Sequence, residues 1–313
     1  MERKNQTHLT EFILLGLSDD PTIQPLLFAT GLLIYVLTLA GNLAIIILIQ
    51  IDQHLHTPMY FLLGNLSFTE ICYITTTMPK MLWDLLSGDK TISFVGCALQ
   101  MFFFLTTAAT EGVLLSVMAY DRYVAICHPL QYTLLMSQPV LRWLLATSWA
   151  IGSLNATVNT AFVFSLNFCG PNKIVHFFCD IPPVLHLSCS DTSHAELVTF
   201  MISGSIMSVT VSLIVLSYVL IVLSVLKIST AQGRIKTFST CASHLTVVSI
   251  FYSTAIFTYM RPSSSHSVED DRVISVLYTI VTPLLNPLIY TLRNKEMQAA
   301  LLNVLGKKQH CQL

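Results

Sequence analysis

The feature that most constrains this fold is a long apolar run with almost no charge, which begins near Ala98. Between residues 98 and 120 the only charged side chain is Glu111, and the run ends at the pair Asp121-Arg122. About 20 helical residues at 1.5 Å each match the hydrocarbon thickness of a bilayer, and a soluble core helix has no need of such a length without charge. The pattern therefore predicts a membrane-spanning helix with the Asp-Arg pair at a membrane face.

Composition extends this interpretation to the whole chain. Of its 313 residues, 53% are hydrophobic and 11% are charged, and the mean hydropathy is +0.67. This is more apolar surface than one soluble core uses, which indicates a polytopic membrane protein. No internal repeat or long polar linker divides the sequence, so one domain is predicted over residues 1–313.

Seven apolar runs, each bounded by prolines, charges or polar clusters, predict an all-α bundle of seven transmembrane helices. The predicted spans are Gln24–Ile49, Pro58–Leu82, Ala98–Tyr123, Leu141–Phe164, Leu197–Leu226, Thr237–Met260 and Val273–Leu292. Residues 293–305 are amphipathic and too short to span, so they are expected to form a helix along the inner membrane surface, followed by a cytoplasmic tail.

The distribution of positive charge predicts the orientation of the bundle. With residues 1–23 outside, the inner segments carry nine of the 16 Lys and Arg residues. This modest excess has the direction that the positive-inside rule favours. Asn5-Gln6-Thr7 is a glycosylation sequon, which requires an external amino terminus. We therefore expect a multi-pass membrane protein with an extracellular amino terminus that is glycosylated at Asn5.

Four of the eight cysteines fall on the outer side in this topology, at Cys97, Cys169, Cys179 and Cys189. An oxidising compartment favours disulfides there, and four cysteines allow three pairings. A bond from Cys97 to the long loop before the fifth span would fold that loop over the bundle. The other four cysteines are expected to be free thiols.

Four motifs accompany these outer cysteines. They are LHTPMY at 55–60, MAYDRYVAIC at 118–127, KTFSTCASHL at 236–245 and PLLNPLIY at 283–290. The combination resembles the olfactory receptors, a family of rhodopsin-like G-protein-coupled receptors, and within it the class II, tetrapod-type group. The resemblance implies a plasma-membrane receptor that binds a small volatile odorant between its helices and activates a stimulatory olfactory-type G protein, which raises cyclic AMP. A rhodopsin-like receptor for an endogenous small lipid or metabolite outside the olfactory epithelium is the alternative.

The resemblance also implies roles for individual residues. Asp121 would hold Arg122 in the resting state, and Arg122 would meet the G protein when the sixth span swings outward. The disulfides implied are Cys97–Cys179 and Cys169–Cys189. The residues expected to serve coupling or activation are Asp121, Arg122, Tyr123, Tyr218, Lys236, Asn286, Pro287 and Tyr290.

The positions that match the family's ligand pocket are mostly apolar. We therefore expect a small, largely apolar and neutral ligand. Tyr252 is expected to supply a hydrogen-bonding ring, and no acid that could anchor a cationic ligand lies between Met101 and Thr110. The expected pocket residues are Phe104, Leu105, Ala108, Ala109, Ile202, Ser203, Ile206, Met207, Tyr252, Ala255, Ile256, Tyr259, Val276 and Thr279.

Glu70 and Glu111 are acids at membrane depth, and such groups usually mark function. Two neighbouring carboxylates would share a proton or bind a cation, and the resemblance points to a sodium ion here. The alternative is a pair of protonated or hydrogen-bonded acids. No protease motif or inverted repeat accompanies the pair, so neither an enzyme nor a transporter is predicted.

A second possible cation site lies in the outer loop. A metal cluster could be formed by His176, Cys179, Asp180, His186, Cys189 and His194, although a disulfide at Cys179 would remove its thiolate. Apart from the possible sodium ion, no cofactor is expected. The expected partners are the odorant, the G protein and membrane lipid, and no nucleic acid.

Overall fold

The computed structural model describes the backbone of residues 10–18, 20–169, 172–227, 231–259 and 274–310. Within these ranges it describes side chains except at 231, 233, 235–240, 259, 292, 293, 295, 305 and 307–310. The helices are α1 (Gln24–Ile51), α2 (Pro58–Ser87), α3 (Phe94–Cys127), the short α4 (Tyr132–Leu135), α5 (Gln138–Phe164), the short α6 (Ile181–Leu185), α7 (Ser193–Val225), α8 (Ala231–Tyr259), α9 (Thr282–Arg293) and α10 (Lys295–His310). A π-helical turn, Leu277–Val281, leads into α9.

The long helices form the predicted seven-helix bundle. Among the described residues, five segments are long and apolar enough to cross a membrane, at Gln24–Ile51, Phe94–Cys127, Ser193–Val225, Cys241–Thr258 and Ile274–Thr291. The other two, α2 and α5, are 30 and 27 residues long, which exceeds the length that a crossing requires. Both contain more polar residues, many of which lie against neighbouring helices.

Several helices extend beyond the apolar runs that predicted them, because caps rather than hydropathy end a helix. At the start of α3 the Ser93 hydroxyl accepts a 3.0 Å hydrogen bond from the Gly96 amide. At the end of α2, Gly88 adopts a left-handed conformation with φ 72°, which favours glycine because it has no Cβ.

The central helix is α3, in which more than half of the residues are buried. Gly152 lets α5 approach it closely, since a Cβ at this position would lie 2.5 Å from the Thr106 carbonyl oxygen. Phe104, Glu111 and Arg122 form a stripe along one face of α3, and all three are buried. However, α3 is buried around most of its circumference. The burial of this stripe therefore does not reveal which helices it contacts.

One end of the bundle, which we call the disulfide end, is covered by a small sheet. Its strands are β1 (Glu11–Leu14), β2 (Thr91–Ser93) and β3 (Lys173–Ile174), and their order is β2-β1-β3. β1 pairs antiparallel with β2 and parallel with β3. Phe12 and Leu14 of β1 are fully buried beneath the loops. This strand was not predicted, because four residues are too few for a clear alternating pattern.

Two disulfides hold the long loop at this end. Cys97 is bonded to Cys179, and Cys169 is bonded to Cys189, as the resemblance implied. The first bond ties the loop to the start of α3. Free thiols are found at Cys72, Cys127 and Cys241, and Cys311 lies outside the described residues.

At the opposite end, which we call the Arg122 end, α10 packs against the bundle. Met297 and Ala300 of α10 are buried. The Tyr60 hydroxyl at the start of α2 lies 2.7 Å from Glu296 Oε2 and 3.1 Å from Asn294 Oδ1. The amphipathic pattern thus predicted this helix. Its apolar face packs against the other helices of the protein.

Candidate functional site

A cavity of about 90 Å³ lies between α3, α5, α7 and α8, and we call it the deep cavity. Eight of the predicted pocket residues line it, namely Leu105, Ala108, Ala109, Ser203, Ile206, Met207, Tyr252 and Ala255. Five lining residues were not predicted, namely Gly112, Asn155, Ile181, Thr210 and Phe251. None of these thirteen residues is charged, so the walls favour a neutral ligand.

Five predicted pocket residues do not line the deep cavity. Phe104 faces the other side of α3, where its ring lies 5.2 Å from Tyr73 and 4.8 Å from Phe178 between centroids. Ile256 is 46% exposed on the outside of the bundle. The rotation of each helix about its own axis decides these placements, and sequence periodicity does not determine it. The other three are Ile202, Val276 and Thr279, and the Tyr259 side chain lies outside the described residues.

Polar groups converge on one wall of the deep cavity. The Ser203 hydroxyl donates a 2.9 Å hydrogen bond to Asn155 Oδ1, and Asn159 Nδ2 donates to the same oxygen at 3.0 Å. Asn159 Oδ1 is buried without a partner. Because Asn155 and Asn159 belong to a predicted span, their depth in the membrane was a signal that could have identified this wall.

Tyr252 lies on the side formed by α8. Its hydroxyl donates a 3.0 Å hydrogen bond to the Gly112 carbonyl of α3. The ring therefore joins α3 to α8 at the cavity wall, and a ligand that displaced the hydroxyl would loosen this link.

Glu70, Glu111 and Asn286 form a buried polar cluster between α2, α3 and α9. Asn286 Nδ2 donates to Glu70 Oε1, and it lies 3.5 Å from Glu111 Oε1. Glu70 Oε2, Asn286 Oδ1 and the nearby Asn42 Oδ1 are buried without hydrogen-bond partners. Oxygen acceptors of this kind suit a hard cation such as sodium, because they can replace its water ligands.

The predicted ion pair between Asp121 and Arg122 is not present, which corrects the sequence interpretation. Asp121 Oδ1 instead accepts a 2.8 Å hydrogen bond from the Tyr132 hydroxyl of α4. Burial raises the pKa of the Tyr132 phenol, which keeps it a donor. Arg122 is 8% exposed, and its Nε has no partner. A neighbouring helix thus supplies a hydroxyl that competes for the carboxylate.

Tyr218, which was predicted to serve activation, forms a hydrogen bond with His244, a residue that was not predicted to have that role. Its hydroxyl lies 2.7 Å from His244 Nδ1, and His244 Nε2 lies 3.1 Å from the Leu115 carbonyl. Since a carbonyl only accepts, Nε2 carries the proton, and in the neutral ring Nδ1 accepts from Tyr218. His244 therefore links α3, α7 and α8 close to Arg122.

Three of the remaining predicted coupling residues, Tyr123, Pro287 and Tyr290, have described surroundings. The Tyr123 hydroxyl is 3.0 Å from His128 Nε2. Pro287 lies against Gly41 of α1, where an added Cβ would approach it to 3.2 Å. Tyr290 is buried, and its hydroxyl has no hydrogen-bond partner. The Lys236 side chain and Asn5 lie outside the described residues.

The alternative metal cluster in the loop is not supported. Cys179 and Cys189 are both in disulfides, so neither offers a thiolate. Within the described ranges, no group of three or more His, Cys, Asp and Glu side chains is arranged to hold a metal ion.

Comparison with known proteins shows the same family throughout. Residues 32–308 match the family model described as "Olfactory receptor". The chain is 54% identical to human "Olfactory receptor 5F1" over 309 residues, which cover 99% of this chain and 98% of the relative. It is 52% identical to mouse "Olfactory receptor 5AP2", with 97% and 96% covered, and 53% identical to human "Olfactory receptor 5A2", with 95% and 92% covered.

Proposed function

Since this chain belongs to the olfactory receptor family, we propose that it binds a small, largely apolar volatile odorant in the deep cavity. Members of the family are rhodopsin-like, seven-helix receptors of the plasma membrane and not enzymes. We further propose that the bound receptor activates a stimulatory olfactory-type G protein and so raises cyclic AMP.

The observation that carries the proposal is the deep cavity itself. Its walls are uncharged, and a polar group is offered at two places, by Asn155 with Ser203 and by Tyr252. A ligand with an apolar body and one oxygen would satisfy both kinds of wall. Because the cavity of about 90 Å³ is small, a compact ligand fits best.

The Arg122 end has the properties that coupling requires. Arg122 is not held by Asp121, and its Nε–H is free to donate to a new partner. His244 joins α8 to α3 and α7 beside it, so an outward movement of α8 would alter the surroundings of Arg122. In this proposal the Arg122 end is cytoplasmic and the disulfide end is extracellular.

Two further partners belong to the proposal. A sodium ion would be held by the carboxylates of Glu70 and Glu111 with the amide oxygen of Asn286, which would stabilise the packing of α2, α3 and α9. Membrane lipid would cover the exposed apolar side chains of α1 and α7, among them Leu33 and Leu216, which are 58% and 56% exposed.

The test is an odorant panel applied to cells that express the receptor, with cyclic AMP as the readout. An active odorant should lose its effect in Arg122→Ala, whereas Arg142→Ala, which removes an exposed cation of α5, should respond as the unmodified receptor does. Surface expression of each variant is measured in parallel. An odorant response that survives Arg122→Ala undamaged would contradict the coupling mechanism.

The ligand site is tested with the same odorant. Asn155→Leu should abolish or strongly weaken the response, because the leucine removes the polar wall and occupies part of the deep cavity. An unchanged dose-response curve in this variant would remove the deep cavity as the odorant site.

A further inference from the structure

We propose that a second cavity, at the disulfide end, is a binding site for a small amphiphilic carboxylate. We call it the loop cavity. Its volume is about 240 Å³, and its lining includes Lys173, His176, Asp180, Pro182, Pro183 and Tyr278. It is larger than the deep cavity of about 90 Å³, and it shares none of the lining residues described for that cavity.

The short helix α6 forms the wall between the two cavities. Ile181 lines the deep cavity, whereas Pro182 and Pro183 line the loop cavity. Ile181 and Val184 are buried. One turn of helix thus presents apolar surface to two separate spaces, and a ligand in one does not occupy the other.

This wall is fixed in position by contacts to two spanning helices. Cys179, two residues before α6, is bonded to Cys97 of α3, and its amide donates a 2.9 Å hydrogen bond to Gln100 Oε1. On the other side, the Tyr278 hydroxyl donates a 2.8 Å hydrogen bond to Asp180 Oδ2. The loop cavity is therefore preformed, which lowers the entropic cost of binding.

Asp180, the acidic residue that lines the loop cavity, accepts hydrogen bonds from donors within the protein. Asp180 Oδ1 accepts from the Ile181 amide at 2.8 Å, and Oδ2 accepts from Tyr278. His176 Nδ1 accepts from the Phe178 amide at 3.4 Å, so Nε2 carries the proton that it directs at the Ser275 hydroxyl, 2.6 Å away. These hydrogen bonds hold the polar floor of the cavity in place.

The positive charge that is offered to a ligand is that of Lys173. Lys173 lines the cavity together with His186, and both side chains are exposed. Among the described side chains, Lys173 has no acidic partner within ion-pair distance. Pro182, Pro183 and Leu187 supply apolar surface beside these groups. A carboxylate head on Lys173 with a hydrocarbon tail along the prolines satisfies both features, whereas the described lining of the deep cavity offers no cationic side chain to a carboxylate.

This proposal rests on the proposed function in one respect only, namely that the deep cavity binds a different, neutral ligand. Its test uses the purified full-length receptor in lipid nanodiscs with two photoreactive probes, octanoate and octanol, that carry the same diazirine on the hydrocarbon tail. After irradiation, labelled peptides are identified by mass spectrometry. Octanoate is expected to label residues 181–187, and Lys173→Met should reduce that labelling by up to about fivefold, the range of an exposed ion pair. Lys173→Arg should retain it.

Three results would overturn the proposal. Octanoate could label α3 and α7 around Leu105 and Met207 instead of the loop. Lys173→Met could leave the octanoate labelling unchanged, or it could reduce the octanol labelling equally. None of these results depends on signalling. Conversely, octanoate labelling of the loop in the unmodified receptor, while no odorant of the panel raises cyclic AMP in cells that express it, would count against the proposed function alone.

Discussion

The hydroxyl oxygen of Tyr132 lies 2.8 Å from Asp121 Oδ1. Tyr132 is thus the hydrogen-bond partner of Asp121, whereas the Asp-Arg motif suggests Arg122 as that partner. Tyr132 belongs to α4, a single turn between α3 and α5, so a loop residue controls the acid of the Asp-Arg pair. While this hydrogen bond is present, Asp121 does not hold the adjacent guanidinium.

We expect Tyr132→Phe to weaken signalling. The change removes the donor from a buried carboxylate, and the adjacent residue Arg122 is a donor that can replace it. A hydrogen bond of this kind contributes about 1 kcal/mol, so the odorant concentration for half-maximal cyclic AMP should rise about fivefold. Tyr120→Phe is the matched control, since Tyr120 is 40% exposed and forms no side-chain hydrogen bond among the described residues. An equal effect of both substitutions would show that the Asp121 contact is not the cause.

The polar wall of the deep cavity can be tested with two serines of the same helix. Ser203→Ala removes the donor to Asn155, so the response to oxygenated odorants should weaken by about fivefold, or about 1 kcal/mol. Ser205→Ala is the control, because Ser205 is exposed and donates only to the Met201 carbonyl of its own helix. Dose-response curves with an alcohol and its hydrocarbon analogue provide the measurement. A loss that is equal for both odorants would argue against a hydrogen bond from this wall.

The crossing of α3 and α5 predicts a stability effect that does not depend on ligand. Gly152→Ala places a Cβ 2.5 Å from the Thr106 carbonyl oxygen and closer still to the Thr110 hydroxyl. The helices must separate, which costs about 1–3 kcal/mol. The melting temperature of the purified receptor should therefore fall. Gly64→Ala should not lower it, because the nearest atom to its added Cβ is Ile49 Cδ1 at 3.5 Å. A normal melting temperature for Gly152→Ala would show that the crossing adapts at little cost.

The proposed sodium site predicts a salt effect that is specific to the cation. At ten times the dissociation constant, an ion bound only by the folded state adds about 1.4 kcal/mol to the free energy of unfolding. The melting temperature should thus be higher in sodium chloride than in choline chloride of equal ionic strength. Glu111→Gln should remove the difference, whereas Glu196→Gln, a change at an exposed acid of α7, should preserve it. The same melting temperature in both salts would favour protonated or hydrogen-bonded acids.

Much of this architecture follows from local sequence signals. The apolar runs predict seven spans because the bilayer requires length and low charge. The amphipathic stretch predicts α10 for a similar reason. The strand β1 has no such signal, since Phe12 and Leu14 are buried by loops that are distant in sequence.

Eight of the residues predicted for the ligand pocket line the deep cavity, but the sequence does not determine the direction in which each side chain points. Leu105 lines the deep cavity and the preceding Phe104 packs against Tyr73 and Phe178 instead. Adjacent residues on a helix point about 100° apart, so the rotation of α3 decides between them. The polar residue Asn155, which also lines the deep cavity, was not predicted, although a polar side chain inside a predicted span was a signal that could have identified it.

The sequence by itself determined that this chain crosses the membrane seven times and belongs to the olfactory receptors, because hydropathy and contiguous motifs are local properties. Only the tertiary structure decided that Asp121 accepts from Tyr132, that His244 joins Tyr218 to α3, and that α6 separates two cavities. Each of these depends on how far helices rotate and approach when they pack. That is decided jointly by side chains far apart in the chain, and no single segment encodes it.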